Sequence, residues 1–179
     1  MAPGPGTRPL ADRVKQAVFG ALEPLLEGCA VLDVCAGSGA AAVEALSRGA
    51  ARAVLVERDR GALEAIAENL RRAGVADRAV VVRREALVAM RALASAGDRF
   101  DLAVVDPPYA DTALRDAILA RLGAPDGPLA AGASVVVTAY WRDLPADTIG
   151  LLRSTRVRRF GETAIVFYRR DAGGIAAAG

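Results

Sequence analysis

Apolar positions follow two rhythms along this chain. Val14, Ala17, Val18, Ala21, Leu22 and Leu25 recur at spacings of three and four, which predicts a helix from about Asp12. Asp12 is placed to cap that helix and Pro24 to kink it. Five short apolar runs follow: AVLDVC (30–35), RAVLVE (52–57), RAVVVR (78–83), FDLAVVD (100–106) and ASVVVTAY (133–140). Helical patterns separate them, one reaching about Arg48 and the others over 60–73, 85–95 and 111–122, with Gly74 as a C-cap. Near-continuous Val, Leu and Ala strands with a helix between each pair predict a parallel sheet covered on both faces. The last two runs, 155–161 and 162–170, are joined by little more than Gly161-Glu162, which predicts a terminal antiparallel hairpin. The expected fold class is therefore α/β. One domain is expected over 12–170, flanked by flexible segments at 1–11 and 171–179.

Composition changes this picture little, but it narrows the chemistry. Hydrophobic residues make up 53% of the chain and aromatics only 4%, so the core must be aliphatic. Net charge is +2, and Lys15 is the only lysine beside 22 arginines. Arginine suits bidentate phosphate contacts and stacking on bases, so a nucleic-acid partner is permitted without being required. There is no histidine, and the two cysteines, Cys29 and Cys35, are too few for a disulfide scaffold. Zinc sites and Ser-His-Asp hydrolysis are thereby disfavoured, and no metal is expected. The opening MAPGPGTRPL has no apolar segment and no run approaches the length of a membrane span, so a cytoplasmic protein with reduced cysteines is expected.

The first strand runs into VLDVCAGSGAAAVEAL, where Gly37 and Gly39 stand between strand and helix. Alone, this reads as a weak dinucleotide fingerprint. Asp33, four residues before Gly37, would repel a pyrophosphate, whereas beside a cationic ligand it is useful. Glu57 ends the next strand, where an acid suits a ribose diol, and Glu85 stands where an acceptor for an adenine amino group would lie. S-adenosylmethionine fits these positions, since it carries an ammonium, a sulfonium and a ribose but no phosphate. The alternatives are that Asp33 caps the following turn and that Glu85 begins an exposed helix, while Asp59 is read as a solvated neighbour.

The fourth strand ends in Asp106-Pro107-Pro108-Tyr109. Methylating an exocyclic amine needs acceptors for its two N–H bonds, because the nitrogen lone pair is delocalised into the ring. The Asp106 carboxylate supplies one and the Pro107 carbonyl the other. Pro107 and Pro108 fix φ twice, which holds that carbonyl in place, and Tyr109 offers a stacking face. The chemistry is positioning and electrostatics and requires no histidine.

Together, TRPLADRVKQAVFGAL, VLDVCAGSGAAAVEALSRGA, VERD and FDLAVVDPPY resemble the RsmD-type 16S ribosomal RNA guanine-N2 methyltransferases, from about Thr7 to Arg169. The resemblance implies a Rossmann-like class I methyltransferase fold, a mostly parallel seven-stranded sheet of order 3-2-1-4-5-7-6 with an antiparallel last strand. It implies methyl transfer from S-adenosylmethionine, leaving S-adenosylhomocysteine, to a guanine of 16S rRNA in a partly assembled small subunit, by a monomer. By position it assigns Asp33, Ala36, Gly37, Ser38, Gly39, Glu57, Arg58, Glu85, Ala86 and Asp106 to the cofactor. Asp106, Pro107, Pro108 and Tyr109 would take the target base, with Arg8 and Arg13 at the substrate entrance. The chain departs from the family at Leu10, at Cys35 and at Glu85, and six residues precede Thr7 where a longer basic segment is usual. Two enzyme alternatives remain, an adenine-N6 or cytosine-N4 methyltransferase and a dinucleotide oxidoreductase. A non-catalytic RNA-binding assembly factor is the alternative from another class.

Overall fold

The computed structural model describes residues 8–108 and 110–172, and for 8–13 it describes the backbone alone. In chain order the elements are α1 (Arg8–Leu26), β1 (Ala30–Val34), α2 (Ala40–Ser47), β2 (Arg52–Glu57), α3 (Arg60–Ala73), β3 (Ala79–Arg83) and α4 (Ala86–Ser95). They continue with β4 (Phe100–Val105), α5 (Thr112–Leu122), β5 (Leu129–Tyr140), β6 (Thr148–Ile149), β7 (Leu152–Phe160) and β8 (Thr163–Arg170). The sheet order is β3-β2-β1-β4-β5-β8-β7-β6. The first five strands are parallel, and β8 inserts antiparallel between β5 and β7. This is the expected order with one addition: the two-residue β6 pairs with the outer edge of β7, giving eight strands instead of seven.

Helices α1, α2 and α3 cover one face, where Phe19, Leu22, Leu46 and Ile66 pack on Val31, Leu55 and Leu102. Helices α4 and α5 cover the other, where Met90, Ile118 and Leu119 pack on Leu32, Val54 and Val105. Both cores are aliphatic, as the composition requires. The expectation of cover on both faces fails at β3, where Val80 is 59% and Val81 40% exposed. There β3 is the sheet edge, and α4 leaves it to pack over Val54 and Val56 of β2.

Helix α1 begins at Arg8, so Asp12 lies within it and is not its cap. Pro9 is compatible with this earlier start, because a first-turn N–H has no intrahelical acceptor and its absence costs no helix hydrogen bond. Gly74 does close α3 in the left-handed conformation, at φ 67°.

Candidate active site

Register lines up the carboxyl ends of four neighbouring strands. Val34 pairs with Val56 and with Val105, and Val105 with Val137. One residue further on, Glu57, Cys35, Asp106 and Thr138 therefore stand side by side on β2, β1, β4 and β5. At roughly 4.8 Å between strands, this row spans about 14 Å. Ligands of open α/β sheets bind at that edge. Here it opens into a cleft of about 540 Å³, lined by Gly37, Glu57, Arg58, Glu85, Ala86, Asp106, Pro107 and Pro108.

The loop after β1 is held by its own backbone. Gly39, at φ 73°, packs inward, where a Cβ would come within 2.9 Å of Leu55 and 3.2 Å of Ile66. Gly37, at φ 54°, faces open space, so its lack of a side chain leaves room for a ligand. The Glu57 carboxylate accepts N–H bonds from Gly37 (2.8 Å), Arg58 (2.7 Å) and Asp59 (2.9 Å). Ala36 N–H donates to the Val56 carbonyl and Gly39 N–H to that of Ala36. These amides are thus already used, which argues against a dinucleotide whose pyrophosphate would need them. Asn69 secures the loop from α3 by donating to the Ser38 carbonyl at 2.9 Å. Ala36, Ser38 and Gly39 shape the loop without lining the cleft.

Asp33 lies beneath the cleft, 2% exposed, and accepts the Ala42 N–H at 3.1 Å in the first turn of α2. The capping role is therefore real, and Gly39 at the N-cap has no side chain to supply it. Burial pushes the Asp33 carboxyl up to about 7. The Ala42 hydrogen bond opposes this, and the charges of Asp106 and Glu57 add to it. Burial also raises the Cys35 thiol to about 11, reinforced by Glu57, Asp33 and Asp106. The walls carry five further carboxylates, Glu57, Asp59, Glu85, Asp106 and Asp111, against Arg58 and Arg84. Arg58 and Glu85 form an ion pair at 2.7 Å across the mouth, and Glu85 sits at the N-cap of α4 without capping it. A buried carboxyl below an acid-rich cleft suits a cation better than a phosphate.

On the fourth strand, Asp106 follows Val105 at the rim. Thr138 Oγ donates to one Asp106 carboxylate oxygen, and Asp106 lines the cleft. The Pro108 carbonyl accepts Asp111 N–H at 2.9 Å, and Asp111 in turn caps α5 through Leu114 N–H. Among the described residues no donor reaches the Pro107 carbonyl. Tyr109 lies outside the described residues, as do the side chains of Arg8 and Arg13. Sequence reasoning missed Thr138. Its signal was slight: it is the first hydroxyl after the Val135–Val137 run, on the strand that pairs with β4. Arg84, Asp111 and Leu114, which also line the cleft, carried no motif.

The strand order, the antiparallel β8 and a crevice built at the carboxyl edge of β1 and β4 define a Rossmann-like methyltransferase fold. The same fold is found in a Salinibacter ruber RNA methyltransferase solved with S-adenosyl-L-homocysteine, at 17% identity and TM-score 0.61 over 95% of this chain and 94% of that one. The family model described as Conserved hypothetical protein 95 matches residues 1–169, and the chain belongs to that family, the RsmD-type family its motifs resemble. Ribosomal RNA small subunit methyltransferase D of Escherichia coli (strain K12) is 34% identical over 170 residues, 95% of this chain and 83% of the relative. YlbH of Bacillus subtilis (strain 168) is 32% identical over 168 residues, 93% of this chain and 90% of the relative. The solved structure of Escherichia coli yhhF matches at TM-score 0.77 and 30% identity, over 96% of this chain and 89% of that one.

Proposed function

We propose that the protein transfers a methyl group from S-adenosylmethionine to the exocyclic N2 amine of a guanine in small-subunit ribosomal RNA. The observation that carries this reading is the Asp106 carboxylate, held by Thr138 and followed directly by the Pro107 carbonyl, which no donor reaches among the described residues. Two fixed acceptors at one rim suit the two N–H bonds of an aryl amine and stabilise the charge that grows on its nitrogen. Family membership and the name of the Escherichia coli relative favour small-subunit RNA as the source of that amine.

The residues below the rim suit the cofactor. The bound cofactor supplies an electrophilic methyl on its sulfonium. Asp33 and the acid-rich walls favour a cation, and Gly37 leaves space for the methionine portion. Glu57, whose carboxylate already braces the loop through three N–H bonds, offers its remaining lone pair, on Oε2, to a ribose hydroxyl. Ala86 and Glu85 border the adenine, with Glu85 shared between that edge and Arg58. Asp106 lies at the boundary of the two portions, close enough to serve both. Pro107 and Pro108 hold the acceptor geometry, and Tyr109, Arg8 and Arg13 complete the base and RNA contacts in this reading. The enzyme works as a monomer on a partly assembled particle, and its reaction belongs to the cytoplasm.

The test offers labelled S-adenosylmethionine with unmethylated small subunits, free 16S RNA and duplex DNA, followed by mapping of the modified base. Label at guanine N2 in the RNA is expected. Label confined to DNA, or to an adenine or cytosine amine, would refute the assignment. Asp106→Ala should lower kcat about 100-fold or more while cofactor affinity stays within a few fold.

A further inference from the structure

We propose that the end of the sheet beyond Asp106, at Trp141, Arg142, Arg156, Arg158 and Arg159, is a docking surface for single-stranded RNA flanking the target base. The inference rests on the reading of the protein as an RNA methyltransferase. Trp141 leaves β5 directly after Tyr140, three residues past the Thr138 that holds Asp106, hence about 10 Å along the strand. The Arg159 guanidinium lies 3.6 Å from the centre of the indole ring, and that of Arg142 lies 5.1 Å from it. Two cations therefore attend one aromatic ring. Among the described residues the buried indole N–H finds no acceptor.

Arg156 and Arg158 extend the charge along β7. Register sets them opposite Phe167 and Ile165, on the α1 face of the sheet, while Arg159 and Trp141 sit at its lip. Among the described residues Arg142, Arg156, Arg158 and Arg159 make no ion pair, although Arg153 on the same strand pairs with Asp171 at 3.4 Å. Glu162 is the only acidic residue in 152–170, and its side chain engages Tyr140. Neighbouring guanidiniums without counter-charge repel one another, and a polyanion relieves that repulsion.

The lip is also rigid. Trp141 N–H donates to the Glu162 carbonyl at 2.9 Å, and Arg159 Nε to that of Gly161 at 2.8 Å. The buried Arg115 donates to the Asp143 carbonyl at 2.7 Å, tying the turn to α5. A planar guanidinium stacked on an indole is a platform for an unstacked base, and the flanking arginines meet phosphates. The target guanine must leave its own stack to present N2 to Asp106, so its neighbours are single-stranded where they cross this lip.

The test compares wild type with R156Q/R158Q/R159Q on a labelled single-stranded oligoribonucleotide of mixed sequence, by anisotropy across a salt series, and on unmethylated small subunits by methyl transfer. Two lost phosphate contacts, at Arg156 and Arg158, lower the salt slope by about 1.4, so wild-type affinity should fall about sevenfold more than the variant's between about 50 and 200 mM salt. The KM for particles should rise about tenfold with kcat and cofactor Kd unchanged, while Arg159→Lys should keep the slope and lose part of the affinity. Equal slopes and affinities overturn the proposal, and so does weakened cofactor binding, which would mark a structural role. A loss seen on particles but not on naked RNA would point to a ribosomal protein and overturn it equally. If wild type neither binds nor methylates RNA, the function proposed above falls with it. If wild type methylates RNA and the variant does so with unchanged KM, the docking surface alone falls.

Discussion

Replacing Asp33 with Asn separates what the carboxylate does for the ligand from what it costs the fold. The amide oxygen can still accept the Ala42 N–H, so the capping contact survives while the charge is lost. In the native protein the carboxyl titrates near 7, against 3.8 for a free aspartate. Between those values the native state holds a proton that the unfolded chain has released. Wild-type stability should therefore fall by about 1.4 kcal/mol per pH unit from about pH 4 to pH 7, then level off. Three units amount to about 4 kcal/mol, which the variant should recover in full at pH 8 and hardly at all near pH 4. For a chain of this size that corresponds to a Tm increase of roughly 10 °C at pH 8. Urea unfolding at stepped pH, followed by far-UV circular dichroism and the fluorescence of Trp141, measures it directly. The same variant should lose S-adenosylmethionine binding, and the wild-type affinity should rise with pH up to about 7 as a proton is released on binding. A stability difference that does not vary with pH, or a variant less stable than wild type at pH 8, would refute the reasoning.

Three further outcomes follow from the geometry. Thr138→Val removes the hydroxyl that orients Asp106 and should lower kcat about tenfold with cofactor Kd unchanged, and Thr138→Ser should restore it; a Ser variant as slow as Val would argue against orientation. Gly39→Ala places a Cβ 2.9 Å from Leu55 at φ 73° and should destabilise the fold by about 3 kcal/mol in denaturant titration, whereas an unchanged midpoint would mean the loop can shift freely. Cys29 and Cys35, both raised to about 11, should react with iodoacetamide at pH 8 roughly 200-fold more slowly than free cysteine; a fast-reacting thiol would contradict their burial.

Much of this arrangement was legible from residue order. RAVLVE became β2 over the same six residues, and Gly74 closed α3, because these signals depend on neighbours a few positions away. The hairpin around Gly161-Glu162 was equally local. RAVVVR illustrates the limit. Its apolar run predicts a buried strand, but its place at the sheet edge leaves Val80 and Val81 exposed, and sheet position is a property of the whole topology. The earlier start of α1 and the pairing of β6 likewise depend on how the local chain docks.

The site divides along the same line. Asp33, Glu57 and Asp106 are recognisable because a carboxylate at the end of an apolar strand is conspicuous in one dimension. That Thr138 stands beside Asp106, that Glu57 spends three hydrogen bonds on its own loop, and that Glu85 is paired with Arg58 are facts of register and folding. The same holds for Trp141, an unremarkable residue until β8 and β7 bring Arg159 onto its ring. Sequence alone determined the rhythm of strands and helices, the acids at the strand ends and the glycines between them, since short-range sterics and side-chain chemistry dictate those. Only the tertiary structure decided which of these groups touch, because contacts between strands distant in sequence depend on register and on which neighbours the sheet order supplies.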